Sequence, residues 1–265
     1  MSARVLALAN QKGGVGKTTT AINLATALAA VGERVLIFDI DPQGNASTGL
    51  GVSRQDREIS AYDVLSGDRS IAEVAVKTGV PQVAIVPSTL DLLGFEASVA
   101  GAGDRAFRLR HAIDKAHTLL IEGGVPSYVL IDCPPSLNLL TINALTAADA
   151  VLVPMQCEFF ALEGLSQLLA TIEHIRTTLN PRLHIQGVVM TMYDSRNNLS
   201  EQVLQDVRHE MGDLVYETVI PRNVRLSEAP SYGKPALLYD LKCAGSQAYL
   251  RLATEVIRRE RQLAA

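Results

Sequence analysis

The stretch "NQKGGVGKTT", residues 10–19, decides the fold class of this chain. It nearly matches the phosphate-binding loop pattern G-x-x-x-x-G-K-[ST], whose last three positions are filled by residues 16–18. The first glycine of that pattern is replaced by Gln11, and a second lysine, Lys12, follows it. One lysine is enough to hold the β- and γ-phosphates of a nucleotide, so Lys12 requires a separate role.

The segments around this loop predict a parallel β-α-β unit. "RVLALAN" (residues 4–10) is a short apolar run of strand length, and "RVLIFDID" (residues 34–41) is a second one that ends in acids. Between them, "KTTTAINLATALAAVG" has apolar residues at helical spacing and stops at a glycine. The short spacing between the two strands favours a parallel crossover.

The rest of the chain continues this alternation of strands and helices. Apolar strands of this kind are typical of α/β proteins with a doubly wound, mainly parallel sheet flanked by helices, here of the P-loop NTPase type. The remaining strands are predicted at residues 83–88, 128–135, 150–155, 185–193 and 215–223, and the helices at 105–116, 137–148, 163–178, 200–211 and 245–262. We expect residues 1–265 to form a single domain, with short helices and turns on the rim over residues 53–80.

Composition limits the functional classes. The hydrophobic content of 48% is sufficient for a buried core, and the net charge of −4 argues against a protein that coats nucleic acid with its whole surface. From Arg222 onward, eight Lys/Arg stand against four Asp/Glu, which is either a basic patch for a polyanion or chance clustering. The scattered Cys133, Cys157 and Cys243 are typical of reduced thiols in a cytosolic protein. Neither a signal peptide nor a membrane span is predicted.

Polar residues occupy the predicted carboxyl ends of the strands, which is where sheets of this type bind their ligands. We expect these five groups to converge on one site. They are residues 10–19, Asp39 with Asp41, Asp132, residues 194–197 and residues 221–223.

The glycine loop predicts a nucleotide site. Its glycines let the backbone turn N–H groups around a phosphate, and the following helix adds the positive end of its dipole. Lys17 would reach the β- and γ-phosphates, the Thr18 hydroxyl would ligate Mg²⁺, and Thr19 would donate to the α-phosphate. A turn used only for chain reversal is the alternative, but the strand before the loop and the helix after it favour phosphate binding. The predicted contacts are Gln11, Lys12, Gly13, Gly14, Val15, Gly16, Lys17, Thr18 and Thr19.

Three acids accompany this loop. Asp132, near the end of "YVLIDCPPS", would hold Mg²⁺ through water, although a single strand-end acid can also be a helix cap. Asp39 and Asp41, in "DIDPQGN", lie on one side of an extended chain. We assign Asp39 to the metal shell and Asp41 to the attacking water, because Asp41 lies further out in a loop. Turn chemistry accounts for the shape of that loop but not for the pair of acids.

Taken together, "KGGVGKTT", "FDIDPQGN", "LIDCPPSLN" and "IPRNVRLSEAPSYGKP" resemble the ParA/Soj chromosome-partitioning ATPases, in the deviant Walker-A group that includes MinD. The resemblance covers residues 4–259. It implies a cytoplasmic, nucleoid-associated ATPase that forms an ATP-dependent homodimer, binds double-stranded DNA nonspecifically and hydrolyses ATP on stimulation by a ParB-type partner. Within it, Lys12 matches the signature lysine, Lys17 the phosphate-loop lysine, Thr18 the metal ligand and Asp41 the water-positioning acid.

The same resemblance assigns further binding residues. Arg196 and Arg225 match arginines that contact DNA, and their forked donors suit phosphate, although a lone arginine is commonly a solvated surface charge. Pro221, Arg222 and Asn223 would build part of the adenine pocket. Further basic residues would enlarge the DNA patch, namely Lys234, Lys242, Arg251, Arg258, Arg259 and Arg261.

Two other functions compete with this interpretation. A MinD-like membrane ATPase needs an amphipathic C-terminal helix, and Leu252, Val256 and Ile257 do share one side of the last predicted helix. The same residues are typical of an ordinary packed helix, so no membrane partner is expected. A metabolic or redox relative with an iron–sulfur cluster would need suitably placed cysteines, and the cysteine spacing here fits poorly.

The extra lysine completes the catalytic set of Lys12, Lys17 and Asp41. Lys17 would serve the nucleotide of its own subunit. Lys12, at the outer lip of the loop, would reach across a dimer interface to the phosphates of the partner, where it offsets the charge of two facing nucleotides. A second phosphate clamp within the same subunit is the alternative role for Lys12.

Overall fold

One seven-stranded sheet contains all the strands in the part of the chain that the structure describes. The structure, a computed structural model, describes residues 3–116, 124–158 and 161–263. The strands lie in the order β3-β4-β2-β5-β1-β6-β7, parallel except for the antiparallel edge pair β3–β4. Their bounds are β1 (Arg4–Leu8), β2 (Val35–Asp39), β3 (Val76–Lys77), β4 (Val83–Val86), β5 (Tyr128–Asp132), β6 (Ala150–Gln156) and β7 (His184–Thr191). The doubly wound, mainly parallel fold is confirmed.

Helices cover both faces of this sheet. They are α1 (Lys17–Ala30), α2 (Asn45–Gly49), α3 (Ala61–Ser66), α4 (Ile71–Val74), α5 (Phe95–Ser98), α6 (Arg108–Lys115), α7 (Leu139–Ala147), α8 (Ala161–Thr178), α9 (Asn198–Met211), α10 (Val224–Glu228), α11 (Ala236–Tyr239) and α12 (Ala244–Leu263). Short 3-10 turns lie at Arg54–Asp56, Leu90–Gly94, Gly212–Leu214 and Ala229–Tyr232.

The sheet separates two hydrophobic cores because successive residues of a strand point to opposite faces. Leu6 and Leu8 of β1 pack with α1 and α12 on one face. Val5 and Ala7 of the same strand pack with α6, α7, α8 and α9 on the other. A strand buried on both sides in this way must be apolar throughout, which explains the uninterrupted apolar runs in the sequence.

The strand predicted at residues 215–223 is wrong. This segment makes only isolated bridges, Val188 with Val215 and Tyr193 with Pro221. Its backbone bonds to β7 only at intervals, for example from the N–H of Tyr216 to the Val188 carbonyl at 2.9 Å. Between these bonds, the Glu255 carboxylate of α12 accepts hydrogen bonds from the N–H groups of residues 217 and 218. Arg259 donates to the carbonyls of residues 213 and 215. Side chains of α12 therefore interrupt the ladder that a continuous strand would require.

The last helix is a packed helix, as the sequence favours. Leu252 and Val256 are fully buried, and they share the core beside α1 with Tyr249. The apolar side of α12 is thus covered by the protein itself. In the described ranges, no helix is long and apolar enough to cross a membrane. Residues 53–80 form short helices and turns, as predicted, but they also contribute the edge strand β3.

Candidate active site

The glycine loop between β1 and α1 has the backbone of an anion cradle. Gly14 and Gly16 adopt positive φ angles of 76° and 87°, which only glycine reaches without strain. Gly16 is the N-cap of α1, and in the described part of the chain no side chain bonds to the first N–H groups of that helix. A 14-residue helix whose amino end is left open attracts phosphate.

Side chains from neighbouring strands hold this loop in shape. The amide of Asn10 donates to the carbonyl of Pro154 on β6 at 2.8 Å, and its oxygen accepts from the Lys12 N–H at 3.0 Å. On the other side, the Thr191 hydroxyl at the end of β7 donates to the Val15 carbonyl at 2.8 Å. The loop is therefore braced by the two strands beyond β1 before any ligand binds.

Lys17 lies across the cradle. Its side chain is buried, and Nζ donates to the Lys12 carbonyl at 3.0 Å. Burial lowers the pKa of Lys17, while the negative charge of Asp132 opposes that shift. A cation held in a nearly dry loop interacts strongly with phosphate, because little water must be displaced.

Asp132 has the environment of an acid that awaits a cation. It pairs in register with Leu8 of β1 and Asp39 of β2, so it lies at the carboxyl edge of the sheet centre. Within residues 3–116, 124–158 and 161–263, neither of its carboxylate oxygens has a hydrogen bond of normal geometry. Burial, followed by the charge of Asp39, raises the pKa of Asp132 well above its usual range, and the nearby Thr18 hydroxyl lowers it. Oxygen ligands of this kind fit Mg²⁺ and its bound water.

Asp39 and Asp41 differ in their contacts. Both Asp39 oxygens are engaged: one accepts from the N–H and hydroxyl of Ser47 at 2.9 and 2.7 Å, the other from the Asp41 N–H at 3.3 Å. Burial raises the pKa of Asp39 to about 6. Asp41 keeps one carboxylate oxygen outside these bonds, while its Oδ1 accepts from the Gln43 N–H at 3.0 Å. Both oxygens of Asp39 are thus occupied, whereas Asp41 has one oxygen without a hydrogen bond to the described part of the chain.

Lys12 is placed differently from Lys17. Its side chain is about half exposed, and Nζ donates to the carboxylate of Glu158, just after β6. No sequence pattern indicated this ion pair, because the two residues are 146 positions apart. The ammonium of Lys12 lies at the surface, where it can exchange partners.

A cavity of about 300 Å³ adjoins the start of α1. Gly16 and Thr19 form its inner side, and the predicted adenine residues Pro221, Arg222 and Asn223 line it as well. Sequence reasoning missed the rest of the wall. Part of it flanks the predicted residues (Ile220, Val224, Leu226 and Ser227), and part comes from distant segments (Thr191, Met192 and Tyr249). An apolar slot beside a phosphate cradle suits a purine ring.

Arg196 and Arg225 lie at the surface, each paired with carboxylates of its own chain. Arg196 makes a two-pronged contact with Asp194 at 2.8 and 2.9 Å and remains 85% exposed. Arg225 pairs with Glu228 at 2.9 Å and lies 3.5 Å from Asp240. Exposed pairs of this kind are weak, so a polyanion can compete for both guanidinium groups.

The proposed enlargement of the basic patch is only partly supported. Lys234, Lys242 and Arg251 are exposed. Arg259 instead stacks over the Tyr216 ring and binds backbone carbonyls, while Arg258 pairs with Glu217. Those two arginines hold α12 against the segment before residue 220.

The cysteines do not resemble a redox centre. Cys133 and Cys157 are buried, and burial raises the pKa of both thiols, that of Cys157 to about 11. A subunit-bridging cluster needs sulfurs at the surface, which neither residue provides.

Comparisons with known proteins identify the family of the chain. A family model described as an AAA domain matches residues 3–185. The chromosome partitioning protein ParA of Caulobacter vibrioides is 65% identical over 258 residues, 97% of this chain and 95% of that protein. The chain belongs to the ParA/Soj family of chromosome-partitioning ATPases. Another member, the sporulation initiation inhibitor protein Soj of Bacillus subtilis, is 50% identical over 96% of this chain and 98% of its own.

Solved structures show the same fold. A Mycobacterium smegmatis protein described as cobyrinic acid a,c-diamide synthase, with bound ADP and magnesium, has a TM-score of 0.83 at 38% identity, covering 98% of this chain and 96% of that one. The septum site-determining protein MinD of Pyrococcus horikoshii, complexed with Mg-ADP, has a TM-score of 0.76 at 29% identity, covering 96% of each chain. Both relatives hold a magnesium–nucleotide complex on this architecture.

Proposed function

We propose that this chain is a partition ATPase, which binds ATP with Mg²⁺, dimerises, associates nonspecifically with DNA and hydrolyses ATP to ADP and phosphate when a ParB-type partner stimulates it. The observation that carries the proposal is the buried Asp132, whose carboxylate oxygens are unpaired among the described residues beside the phosphate cradle. Such an arrangement is costly unless a cation completes it. The resulting cycle would move a chromosome or plasmid in the cytoplasm, at the nucleoid.

The residues divide the work as follows. The N–H groups of the loop from Gly13 to Gly16 and the ammonium of Lys17 bind the phosphates. Thr18 and Asp132 would hold Mg²⁺, which when bound neutralises charge on the β- and γ-phosphate oxygens. Asp41 orients the attacking water with its free oxygen.

Lys12 accounts for the dependence of this cycle on a dimer. We propose that it leaves Glu158 and binds the phosphates of the partner subunit, which reduces the repulsion between two facing nucleotides. Weak turnover without the ParB-type partner follows, because the chain alone does not supply every group of the site.

Two features support partition over the metabolic and membrane alternatives. Identity is 65% and 50% to the partition and Soj proteins, against 38% to the protein described as a diamide synthase. The apolar side of α12 is buried against α1, so it is not available to lipid.

The oligomeric state with ATP, ADP and no nucleotide tests the proposal. We expect dimers only with ATP and Mg²⁺, measured by light scattering on a size-exclusion column. Co-sedimentation with DNA should follow the dimer, whereas liposomes should leave the protein in the supernatant in every nucleotide state. A dimer that forms equally without nucleotide, or ATP-dependent pelleting with liposomes, would contradict the proposal.

A further inference from the structure

Arg57 is a buried arginine beside the loop that follows β2. Only 6% of its surface is exposed. One guanidinium nitrogen donates to the carbonyls of Gly44 and Ser88, each at 3.2 Å. The other donates at 2.7 Å to the Thr48 hydroxyl and to the Val52 carbonyl. A charged group is rarely buried without such pairing, and none of these four acceptors is a carboxylate.

These contacts hold the turn that begins at Asp41. The N–H of Gly44 donates to the Asp41 carbonyl at 2.8 Å and closes that turn. Gly44 has a φ of 62°, and a side chain at this position would collide with the guanidinium of Arg57. The guanidinium thus fills the space behind the turn and bonds to its last carbonyl. The backbone of the turn that carries Asp41 is therefore held by Arg57 through the Gly44 carbonyl.

Ser88, just after β4, connects the Arg57 guanidinium to Asp39 and Asp41. Its hydroxyl donates to the Asp41 carbonyl, and its N–H donates to the Ser47 hydroxyl at 3.1 Å. That hydroxyl in turn donates to Asp39 at 2.7 Å. Arg57 binds the carbonyl of Ser88, so one buried network fixes the backbone of Asp41 relative to Asp39.

We propose that Arg57 and Ser88 are positioning residues for the attacking water, since they fix the backbone from which Asp41 would orient it. The inference rests on the proposed function, in which Asp41 has that role. Neither residue lines the cavity beside α1, and neither bonds to the phosphate loop. Their loss should therefore reduce turnover much more than nucleotide affinity, because a displacement of about 1 Å at a reacting group costs about 100-fold in rate.

The test compares Arg57→Ala and Ser88→Ala with the unmodified chain. We expect single-turnover phosphate release with Mg-ATP to fall about 100-fold for Arg57→Ala. For Ser88→Ala we expect a fall of about fivefold, the effect of one hydrogen bond. Affinity for the non-hydrolysable analogue AMP-PNP should change by less than about threefold in either variant, since the phosphate loop is untouched.

Arg54 and Arg57 both line a second cavity, of about 240 Å³, which lies beside the Asp41 turn. Arg54→Ala is the matched control, because Arg54 is exposed and makes no bond to that turn in the described ranges. It should hydrolyse ATP at the unmodified rate. That cavity also allows rescue: methylguanidinium should restore part of the turnover of Arg57→Ala and none of that of Asp41→Ala. If Arg57 were needed only for stability, Arg57→Ala would have a lower melting temperature, and methylguanidinium would not restore its turnover.

The outcomes separate the inference from the proposed function. If Asp41→Ala is inactive while Arg57→Ala and Ser88→Ala turn over at the unmodified rate, the positioning role is refuted and the proposed function stands. If Asp41→Ala itself hydrolyses ATP normally, the assignment of the water to Asp41 fails. Should Arg57→Ala not fold, Ser88→Ala decides, and unchanged turnover in that variant refutes the role.

Discussion

Two regions of the molecule use charge in opposite ways. The inner region is the site around the phosphate loop, and the rim is the surface that carries Arg196 and Arg225. At the inner end, Lys17, Asp39 and Asp132 are buried within the loop and strand ends. On the rim, Arg196 and Arg225 are exposed and pair with carboxylates close to them in the sequence, Asp194 and Glu228. Charges in a dry site act strongly on a ligand in one geometry, whereas solvated charges act weakly and without geometric selection. The difference fits the proposed function, in which the first region carries the chemistry and the second binds DNA without sequence preference.

Removal of Lys17 should have the largest effect on the cycle as a whole, because dimerisation and hydrolysis both require bound ATP. In Lys17→Ala the phosphates lose a buried counter-charge, so ATP affinity should fall by at least about 100-fold. Equilibrium dialysis with labelled ATP measures this, and Lys115→Ala, an exposed lysine at the end of α6, serves as the control. Unchanged affinity in Lys17→Ala would show that the loop does not hold the nucleotide.

Asp41→Ala comes next, since it should separate binding from chemistry. ATP binding and dimerisation should persist, while hydrolysis falls about 1000-fold, within the range of a lost general base. Phosphate release and light scattering on the same sample measure both properties. Glu58→Ala, an exposed acid nearby in the chain, should behave like the unmodified protein. A variant of Asp41 that hydrolyses ATP normally would transfer the role to another residue.

The inner region was largely predictable from sequence because its geometry is local. A glycine loop between a strand and a helix, with acids at the next strand ends, brings Lys17 and Asp132 together in any parallel sheet of this order. The remaining walls were not predictable. Met192, Leu226 and Tyr249 come from three separate segments and line the cavity beside α1. The periodicity of the sequence does not predict that these segments are in contact.

The strand wrongly predicted at residues 215–223 also shows that contacts between distant segments cannot be predicted from the sequence. Its apolar pattern suits a strand, but the sequence does not reveal that Glu255 and Arg259 of α12 take some of its backbone hydrogen bonds and interrupt its pairing with β7. Local propensity predicts which elements are possible, and a distant side chain decides between them. The ion pair of Lys12 with Glu158 was hidden for the same reason.

On the rim, Arg225→Glu should weaken DNA binding by about tenfold at low salt and spare ATP-driven dimerisation. The salt dependence of binding should also become less steep, because fewer phosphates are neutralised. Arg176→Glu is a close control: Arg176 is equally exposed and likewise pairs with a glutamate three positions away, but it lies on α8. If both variants lose DNA binding equally, net charge is responsible and not a defined patch.

The smallest effect concerns the residue that lies between the two regions. Lys12 belongs to the phosphate loop but is solvated and paired like the rim arginines. Lys12→Ala should spare ATP binding more than dimerisation or hydrolysis, because its proposed target is the partner subunit. Glu158→Gln should free Lys12 from its ion pair and so favour the ATP-bound dimer. The gain in dimer affinity should be no more than about fivefold, the limit for an exposed ion pair. Analytical ultracentrifugation across a series of protein concentrations resolves a change of that size. If Lys12→Ala instead weakens ATP binding as much as dimerisation, Lys12 acts on the nucleotide of its own subunit, and the distinction between the two lysines disappears.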